Sequence, residues 1–363
     1  MAPKKKRILF LVPYPLNESP SQRFRFEQYF TLLTQNGFEF EIQSFLTSHN
    51  WQVFYKQGKL IAKTLALAMG FAKRATIPFK AYRYDFVFIH REATPLGPPV
   101  IEWFLAKILN KKIIYDFDDA IWLPENNNES PLKRFVKWRH KIAAICRWSS
   151  RVSCGNQYLS DFARNHNTNV VLNPTTIDTV LVHNPALYKK TPPSESVVIG
   201  WTGSHSTLKY LHEAAEILRG IQHKFPTIQI VVIADKKPDL KLKSVNFIPW
   251  NAESEIKDLM KFDIGIMPLS DDIWTKGKCG FKALQYMALK IPAVASPVGV
   301  NTSIIQNGEN GFLCSSPQEW EAALCTLITD PNLRERMGEL GRIKVINSYS
   351  VLSNSSTFLA LFE

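Results

Sequence analysis

The chain has 363 residues, of which 45% are hydrophobic and 12% aromatic, and this composition is sufficient for the cores of two domains. Its formal net charge of +12 predicts a negatively charged partner, which could be nucleic acid, an anionic membrane surface or a phosphorylated small molecule. The sequence contains no zinc-finger spacing, RNA-recognition signature or helix-turn-helix pattern. We therefore expect no nucleic-acid partner.

Neither a signal peptide nor a membrane span is predicted. The sequence has no uncharged run of about 18 apolar residues, and it does not begin with a long apolar stretch. The basic string at 3–7 runs directly into a predicted strand, so we interpret it as a solvated segment that can also contact anionic lipid. We expect a cytoplasmic protein whose five cysteines, which lack paired spacing, are reduced and hold no structural zinc.

The first half of the chain alternates between strand-like and helix-length segments. The predicted strands are 8–13, 38–45, 84–90, 111–117 and 151–154, and the predicted helices lie near 22–36, 59–73, 97–109 and 131–147. This alternation predicts an α/β domain with a parallel, doubly wound sheet.

A second series of strands follows a proline-rich segment. Its predicted strands are 197–201, 228–234, 245–249, 263–268 and 293–296. The prolines mark 184–196 as a linker. We predict a first domain over 1–183, a second domain over 197–345 and a separate final segment over 346–363.

Charged residues follow two predicted strands of the first domain. Asp116, Asp118 and Asp119 close one strand, and carboxylates at positions i and i+2 can bind a divalent ion together with a nucleotide diphosphate. Because the features that suit a diphosphate lie in the second domain, we expect no metal site here but a role on the opposite side of a cleft. A helix N-cap or a buried structural pair is the alternative. Arg91 and Glu92 close the preceding strand, where they could bind a ligand or only pair with each other.

Two further features of the first half suit negatively charged partners. Arg23 opens the first predicted helix beneath the end of the first strand, so it could bind a phosphate or be an ordinary surface arginine. The segment 52–83 combines lysines and arginines with large apolar side chains. Such a segment suits an anionic membrane surface, but a helix packed on the first sheet would have the same pattern.

The second domain opens with a glycine turn. Gly203 and Ser204 follow the first strand and precede a hydroxyl-rich helix start, an arrangement that can bind phosphate through backbone N–H groups. A plain N-cap by Ser206 or Thr207 is the alternative. Trp250, which follows another strand, could form an apolar wall for a nucleotide base or belong to the core.

Residues 276–301 form the most informative stretch. A helix beginning near Cys279 or Gly280 would direct free N–H groups and a positive dipole end toward a ligand. Helical spacing places Lys278, Lys282 and Gln285 on one side of this helix. Because the dipole disfavours lysines at a helix N-terminus, the pair indicates a bound anion, with a solvated helix face as the alternative. A loop follows the next strand and can approach the same ligand through Val298, Gly299, Val300 and Asn301.

These motifs, with the later segment 307–313, resemble the donor-binding region of family-4 glycosyltransferases of the GT-B fold. The resemblance is specific over about residues 262–345 and looser over the N-terminal half. It implies two Rossmann-like domains facing a cleft, with acceptor binding in the first and nucleotide-sugar binding in the second. It also implies that 346–363 packs back on the first domain, and that donor binding needs no metal.

The resemblance also implies site roles. The family's Glu-x7-Glu pair places Gln285 at the ribose position and Gly277 at the donor-sugar position, for which Asp271 or Asp272 is a substitute. The diphosphate ligands and donor contacts would then be Gly203, Ser204, Gly280, Lys278 and Lys282, with Trp250 and the 298–301 loop completing the pocket. Catalytic roles fall to Lys278, Lys282, Asp118 and Asp119, and the acceptor side to Arg23, Arg91, Glu92 and Asp116.

The predicted function is transfer of a sugar from a nucleoside-diphosphate sugar to an acceptor hydroxyl, with retention at the anomeric carbon. We expect a saccharide or lipid-linked acceptor, a role in cell-envelope polysaccharide or glycolipid synthesis, and a location at the inner face of the membrane. No separate cofactor is expected. A nucleotide-sugar epimerase or phosphorylase of the same fold, or a non-catalytic membrane-surface binding protein, is the alternative.

Overall fold

The computed structural model of the protein describes residues 5–55, 58–124, 129–188 and 196–363. The chain divides into two compact units, of which the first comprises Met1–Thr175 together with Ser355–Glu363 and the second Thr176–Asn354. Residues 189–195 of the predicted linker lie outside the described residues. The five preceding linker residues, 184–188, belong to the second unit and contain the 3₁₀ turn Pro185–Leu187.

The first unit is built on a six-stranded sheet in the order β2-β1-β3-β4-β5-β6, and all its neighbouring strands pair in parallel. The strands are β1 (Lys6–Val12), β2 (Phe38–Ser44), β3 (Phe86–His90), β4 (Lys112–Phe117), β5 (Arg151–Cys154) and β6 (Val170–Leu172). The helices are α1 (Pro20–Arg23), α2 (Phe30–Gln35), α3 (Ser48–Tyr55), α4 (Leu60–Ala75), α5 (Ile77–Lys80), α6 (Val100–Trp103), α7 (Pro131–Lys137), α8 (Lys141–Trp148) and α9 (Gln157–Arg164).

The second unit has a similar parallel sheet in the order β12-β11-β10-β7-β8-β9. Its strands are β7 (Val198–Gly203), β8 (Gln229–Ala234), β9 (Asn246–Pro249), β10 (Ile264–Met267), β11 (Ala293–Ala295) and β12 (Gly311–Leu313). Its helices are α10 (Leu208–Glu213), α11 (Ala215–Lys224), α12 (Glu255–Leu259), α13 (Phe281–Ala288), α14 (Asn301–Ile304), α15 (Pro317–Thr329) and α16 (Pro331–Ser348). The predicted fold class, α/β with parallel doubly wound sheets, is confirmed.

The central strands form because their residues are apolar on both faces. In β1 the run from Ile8 to Val12 is buried throughout, and all of β3 is buried as well. Strands of a parallel sheet need this continuous apolar pattern because helices cover both faces. The final helix, α17 (Ser355–Leu359), adds to the first unit, where the ring of Phe358 stacks on that of Tyr29 at 4.1 Å between centroids.

The structure differs from the predicted elements at several places. The helix predicted near 131–147 is divided into α7 and α8, with Trp138 between them in the left-handed region. The helix predicted near 22–36 is divided into α1, the 3₁₀ turn Glu27–Tyr29 and α2. The division occurs where the Gln22 side chain turns back to bond the backbone of Tyr14 and the carboxylate of Glu27. The edge strands β6 and β12 were not predicted, because three residues are too few to establish a strand pattern.

Helix α4 is held to the first sheet by a buried arginine. The Arg74 guanidinium donates to the carbonyl oxygens of Val12, Gln43 and Ala93 at 2.7–2.8 Å and is fully buried. Burial lowers the pKa of Arg74 to about 10. Arg74 is one of the bases of the 52–83 segment, but it is not available to a membrane surface, because its hydrogen bonds tie the helix to the ends of β1 and β2.

Candidate functional site

The second unit has its candidate site where the strand order reverses between β7 and β10. Ligands of open α/β sheets bind outside the carboxyl ends of the strands at such a switch point. Gly203 ends β7 and Met267 ends β10 at this edge. The chain then runs through the 3₁₀ turn Thr275–Gly277 into α13, which starts at the same edge.

A glycine fixes the start of α13. Gly280 is the N-cap residue with φ of +68°, in the left-handed region that favours glycine. A Cβ atom at this position would lie 2.2 Å from Cδ1 of Ile304. The predicted helix start is therefore confirmed, and the close packing at Gly280 leaves no room for a side chain there.

The two predicted lysines lie at this helix end. Lys278 is extended and precedes the helix, with Nζ 5.3 Å from the ring centroid of Trp274. Lys282 lies in the first turn, with Nζ 5.5 Å from the ring centroid of Trp201. Both side chains are half-buried. Aromatic faces can hold a cation, but the positive dipole end of α13 disfavours both lysines, so an anion at this end would stabilise the arrangement.

The predicted loop after β11 lies against the start of α13. Gly299 has φ of +55°, and a Cβ there would lie 2.8 Å from the carbonyl oxygen of Lys276. Asn301 is buried and donates from Nδ2 to the carbonyl oxygen of Ser296 at 3.0 Å. Its Oδ1 has no hydrogen-bond partner among the residues that the structure describes. Val298 is buried, whereas Val300 is half-buried and caps α14.

Gln285 belongs to a buried polar network that the sequence analysis did not include. Its Nε2 lies 3.3 Å from Oε1 of Glu255 and 3.4 Å from Nε2 of His183. The same Glu255 oxygen accepts a hydrogen bond from Nε1 of Trp250 at 3.2 Å. Glu255 is buried at the start of α12, shortly after β9 ends. The signal that could have identified it is its position after a strand that already carried a predicted ligand, Trp250.

The backbone N–H groups of the glycine turn after β7 donate to acceptors within the protein. Ser204 caps the 3₁₀ turn His205–Thr207 in a capping box with Thr207, so the N-cap is Ser204 and not Ser206 or Thr207. The backbone N–H of Ser204 donates to Oγ1 of Thr207 at 3.2 Å, and that of His205 donates to Oδ1 of Asp235 at 2.6 Å. Because these N–H groups have protein acceptors, the start of α13 is the stronger candidate for an anion site.

The substitutes for the missing donor-sugar glutamate differ in their surroundings. Asp272 accepts from the backbone N–H groups of Trp274 and Thr275, both at 2.8 Å, and so forms part of a turn. Asp271 is exposed and pairs with Lys276 at 3.4 Å. Of the two, Asp271 has the carboxylate more accessible to a ligand.

In the first unit, an ion cluster lies at the ends of β3 and β4. Arg91 donates from Nε and Nη2 to Oδ1 of Asp118 at 2.9 and 2.7 Å, and from Nη2 to Oδ2 of Asp119 at 2.6 Å. Burial opposes the charge on Arg91, but the two carboxylates raise its pKa well above the usual value. Tyr14, after β1, lies near enough for the charges of Arg91, Asp118 and Asp119 to act on it, and burial raises its pKa. Sequence analysis missed Tyr14, although it follows a predicted strand.

The other predicted acceptor-side residues are placed differently. Glu92 pairs with the buried Nζ of Lys141 at 2.6 Å rather than with Arg91. Arg23 is half-buried, with its guanidinium 5.0 Å from the ring centroid of Phe24. Its neighbour Arg25 is the arginine that enters the interior.

Asp116 is part of the interior and does not belong to the ion cluster of Arg91. Its carboxylate pairs with Arg25 and accepts hydrogen bonds from Nδ1 of His90 at 2.8 Å and from Oγ of Ser153 at 2.6 Å. Burial opposes ionisation, but the charge of Arg25 and the interactions with His90 lower the pKa of Asp116 below its usual range. Asp116 therefore cannot join Asp118 around a metal ion. In the part of the chain that the structure describes, no group of three or more His, Cys, Asp or Glu residues could hold one.

Comparisons with known proteins agree with these observations. Residues 196–330 match the family model described as Glycosyl transferases group 1. No curated protein matches the chain.

Solved structures cover nearly the whole chain. A glycosyltransferase from Rickettsia africae has a TM-score of 0.69 at 16% identity, and sucrose-phosphate synthase from Thermosynechococcus elongatus has 0.68 at 14%; each match covers 99% of this chain and 98% of the other. HepE from Anabaena in complex with UDP has 0.64 at 16% identity and covers 98% of both chains. The chain therefore has the GT-B fold, and its second unit contains a glycosyltransferase group 1 domain.

The position of Asp116 leads to a stability prediction. Asp116→Asn removes the counter-charge of a buried arginine, and breaking a buried ion pair in this way typically costs about 3–5 kcal/mol. We expect urea unfolding to show a decrease of this size in the free energy of unfolding. Because the folded-state pKa of Asp116 is lowered, its contribution is present above the unfolded pKa of about 3.9 and is lost as the pH falls through the folded pKa.

The matched control is Asp161→Asn, which changes an exposed ion pair with Arg164 in the same unit. The free energy of unfolding of this variant should decrease by at most about 1 kcal/mol. Equal stability of the Asp116 and Asp161 variants would contradict the assignment of Asp116 to the interior framework.

Proposed function

We propose that the protein is a glycosyltransferase that moves a sugar from a nucleoside-diphosphate sugar to an acceptor hydroxyl. The observation that carries this proposal is the start of α13, where Lys278 and Lys282 accompany a helix N-terminus inside the segment matched by the family model. Structures of the Anabaena neighbour contain UDP and UDP-glucose. We therefore select UDP as the first nucleotide to test.

The charges at α13 suit the departure of a diphosphate. As the bond between the sugar and the diphosphate breaks, negative charge grows on the leaving oxygen. Preorganised cations and N–H dipoles that meet this charge lower the barrier. Trp201 and Trp274 hold the two lysines by their ring faces, so they need little reorganisation when the charge develops.

The network around Gln285 suits the ribose of the nucleotide. A ribose diol offers two O–H donors, and a carboxylate is a stronger acceptor for them than an amide. Gln285 has no charge, but Glu255 brings a carboxylate to within 3.3 Å of it. We propose that Glu255 and Gln285 together bind the ribose and that Trp250 flanks the base. We also propose that Oδ1 of Asn301 accepts a hydrogen bond from the nucleoside-diphosphate sugar.

We assign the acceptor to the first unit, at the cluster of Arg91, Asp118 and Asp119. Two carboxylates against one guanidinium leave a net negative charge that can orient an acceptor hydroxyl or stabilise positive charge at the anomeric carbon. Retention at that carbon follows from the resemblance to family 4 and forms part of the proposal. Donor binding without a metal is also part of it.

The proposed cellular role is synthesis of cell-envelope polysaccharide or glycolipid at the inner face of the membrane. None of the helices in the described ranges is long and apolar enough to cross a bilayer. Contact with the membrane would therefore be peripheral, through basic and apolar side chains of the first unit.

The first test of the proposal is Lys282→Ala. Loss of a cation that meets the leaving diphosphate should lower turnover roughly 10²–10³-fold, or about 2–4 kcal/mol. Release of UDP from UDP-sugars measures this effect. The control is Lys224→Ala, which removes an exposed lysine paired with Glu321 at the far end of α11. Turnover that is equal in the two variants would remove Lys282 from the mechanism. Interconversion of UDP-sugars without UDP release would favour the epimerase instead.

The second test concerns the ribose. Glu255→Gln should weaken UDP binding roughly 10- to 100-fold, because a hydrogen bond to a charged group contributes about 1.5–3 kcal/mol. Binding of 2′,3′-dideoxy-UDP should change little, since it lacks both hydroxyls. Calorimetric titration of both nucleotides checks this, with the exposed neighbour Glu253→Gln as control. An equal loss for both nucleotides would show that Glu255 only supports the fold of the pocket.

The third test separates acceptor chemistry from metal chemistry. Asp118→Asn should reduce sugar transfer on the order of 10²-fold through misplacement of the acceptor, whereas Asp161→Asn should not. UDP binding to the wild-type protein should be the same with and without EDTA. A loss of affinity in EDTA that manganese or magnesium restores would assign the acids to a metal site.

A further inference from the structure

Helix α7 contributes an amphipathic surface with little packing of its own. None of its residues is buried, and the side chains of Leu132 and Phe135 are 73% and 68% exposed. Lys133, Arg134 and Lys137 are interspersed with them. Most short helices in proteins are stabilised by an apolar face packed on the core, so the apolar groups of α7 are available to another partner.

A groove lies beside α7 in the same unit. Its volume is about 590 Å³, within the range of sites that bind small organic ligands. The apolar groups that line it include Phe71, Leu96, Val100, Ile101, Phe135 and Val136. The lining also contains Arg74, but its guanidinium donates to three backbone carbonyls, so it offers the groove mainly its aliphatic part. The groove is therefore suited to hydrocarbon.

The charges on α7 are positive. Lys133, Arg134 and Lys137 belong to the helix whose Phe135 and Val136 line the groove, and Glu92 is an acid near Lys137. The nearby acid Glu129 pairs with both Lys133 and Arg139. An apolar peptide would gain nothing from these cations, whereas an anionic headgroup joined to a hydrocarbon chain uses both features.

Helix α4, whose Phe71 and Ala75 line the groove, also has an exposed apolar stripe. Its residues Ile61, Leu65 and Met69, spaced one turn apart, are all more than half exposed. The opposite stripe of Ala66, Gly70 and Arg74 is buried, and Gly70 lets the ring of Phe45 approach closely. The exposed stripe therefore does not serve packing within the unit. An apolar stripe directed to solvent is typical of a helix that lies in a membrane interface.

We propose that this groove binds one hydrocarbon chain of an anionic membrane lipid, with Lys133, Arg134 and Lys137 at the headgroup phosphate. The inference deepens the proposed membrane association by adding a defined lipid site to it. It requires neither donor binding nor transfer, so the two proposals can fail separately.

Lysophosphatidylglycerol below its micelle concentration is a suitable probe, because it offers one chain and one phosphate without a bilayer. We expect saturable binding by calorimetry with one lipid per protein, accompanied by a change in the fluorescence of Trp138, which lines the groove. Lysophosphatidylcholine should bind at least tenfold more weakly, because its headgroup has no net charge. Absence of saturable binding, or binding of many lipids per protein, would overturn the proposal.

Two variants locate the site. Phe135→Asp places a charge at the groove, and the exposure of Phe135 protects the fold, so we expect at least a tenfold loss of lipid affinity. The control is Leu352→Asp, which alters a side chain of the second unit that is 69% exposed, and should bind as the wild type does. The double variant Lys133→Gln, Arg134→Gln should lose the preference for the anionic lipid. Unchanged lipid affinity in Phe135→Asp would place the lipid elsewhere.

A second copy of the chain in the groove would give different experimental results from a lipid. If a second copy covers the groove, the wild-type protein should form a dimer in sedimentation that Phe135→Asp disrupts, and lipid should not bind in one-to-one proportion. Measurement of UDP binding on the same samples separates the proposals. Intact UDP binding without lipid binding would contradict only the lipid site, whereas lipid binding without sugar transfer would contradict only the proposed enzymatic function.

Discussion

The candidate donor site depends on one tyrosine in the gap between β7 and β10. These strands pair only from Ile264 to Gly265, and beyond that pairing the hydroxyl of Tyr286 accepts from the backbone N–H of Thr202 at 3.0 Å and lies 3.3 Å from the carbonyl oxygen of Ile266. Gly265 makes this possible, because a Cβ there would lie 2.3 Å from the tyrosine ring. Tyr286 thus anchors α13 at the switch point, and the position of Lys282 and Gln285 follows from it.

The two units differ in how their charged side chains are stabilised. In the first unit, the carboxylate of Asp116 pairs with Arg25 and His90, and the guanidinium of Arg74 donates hydrogen bonds to backbone carbonyl oxygens. These groups stabilise the framework because each has its partners within it. At the start of α13, Lys278 and Lys282 stand where the helix dipole disfavours cations, and aromatic rings are their neighbours. Charged groups that a helix dipole disfavours point to a functional site, because a bound anion would stabilise them.

The sequence analysis predicted features that local patterns determine and missed those that depend on distant contacts. Apolar runs located the central strands, and a glycine before an amphipathic stretch located the start of α13. The periodicity of α4 revealed apolar residues but could not decide which stripe is buried, because Ala66, Gly70 and Arg74 are less apolar than the exposed Leu65 and Met69. Likewise, nothing local distinguishes Arg25 from Arg23; the difference lies in Asp116, far along the chain.

The proposed ribose site would show how a motif can change without loss of its chemistry. Gln285 lacks the charge that the resembling family has at this position, and by sequence alone the ribose site is weakened. In the folded protein, Glu255 comes from a different helix and directs its carboxylate to the amide of Gln285. A pocket requires a carboxylate in a given place, and the chain can supply it from any element that ends there. Because β9 ends at the same sheet edge as β10, α12 starts close enough to supply the carboxylate that the proposed ribose site requires and α13 lacks.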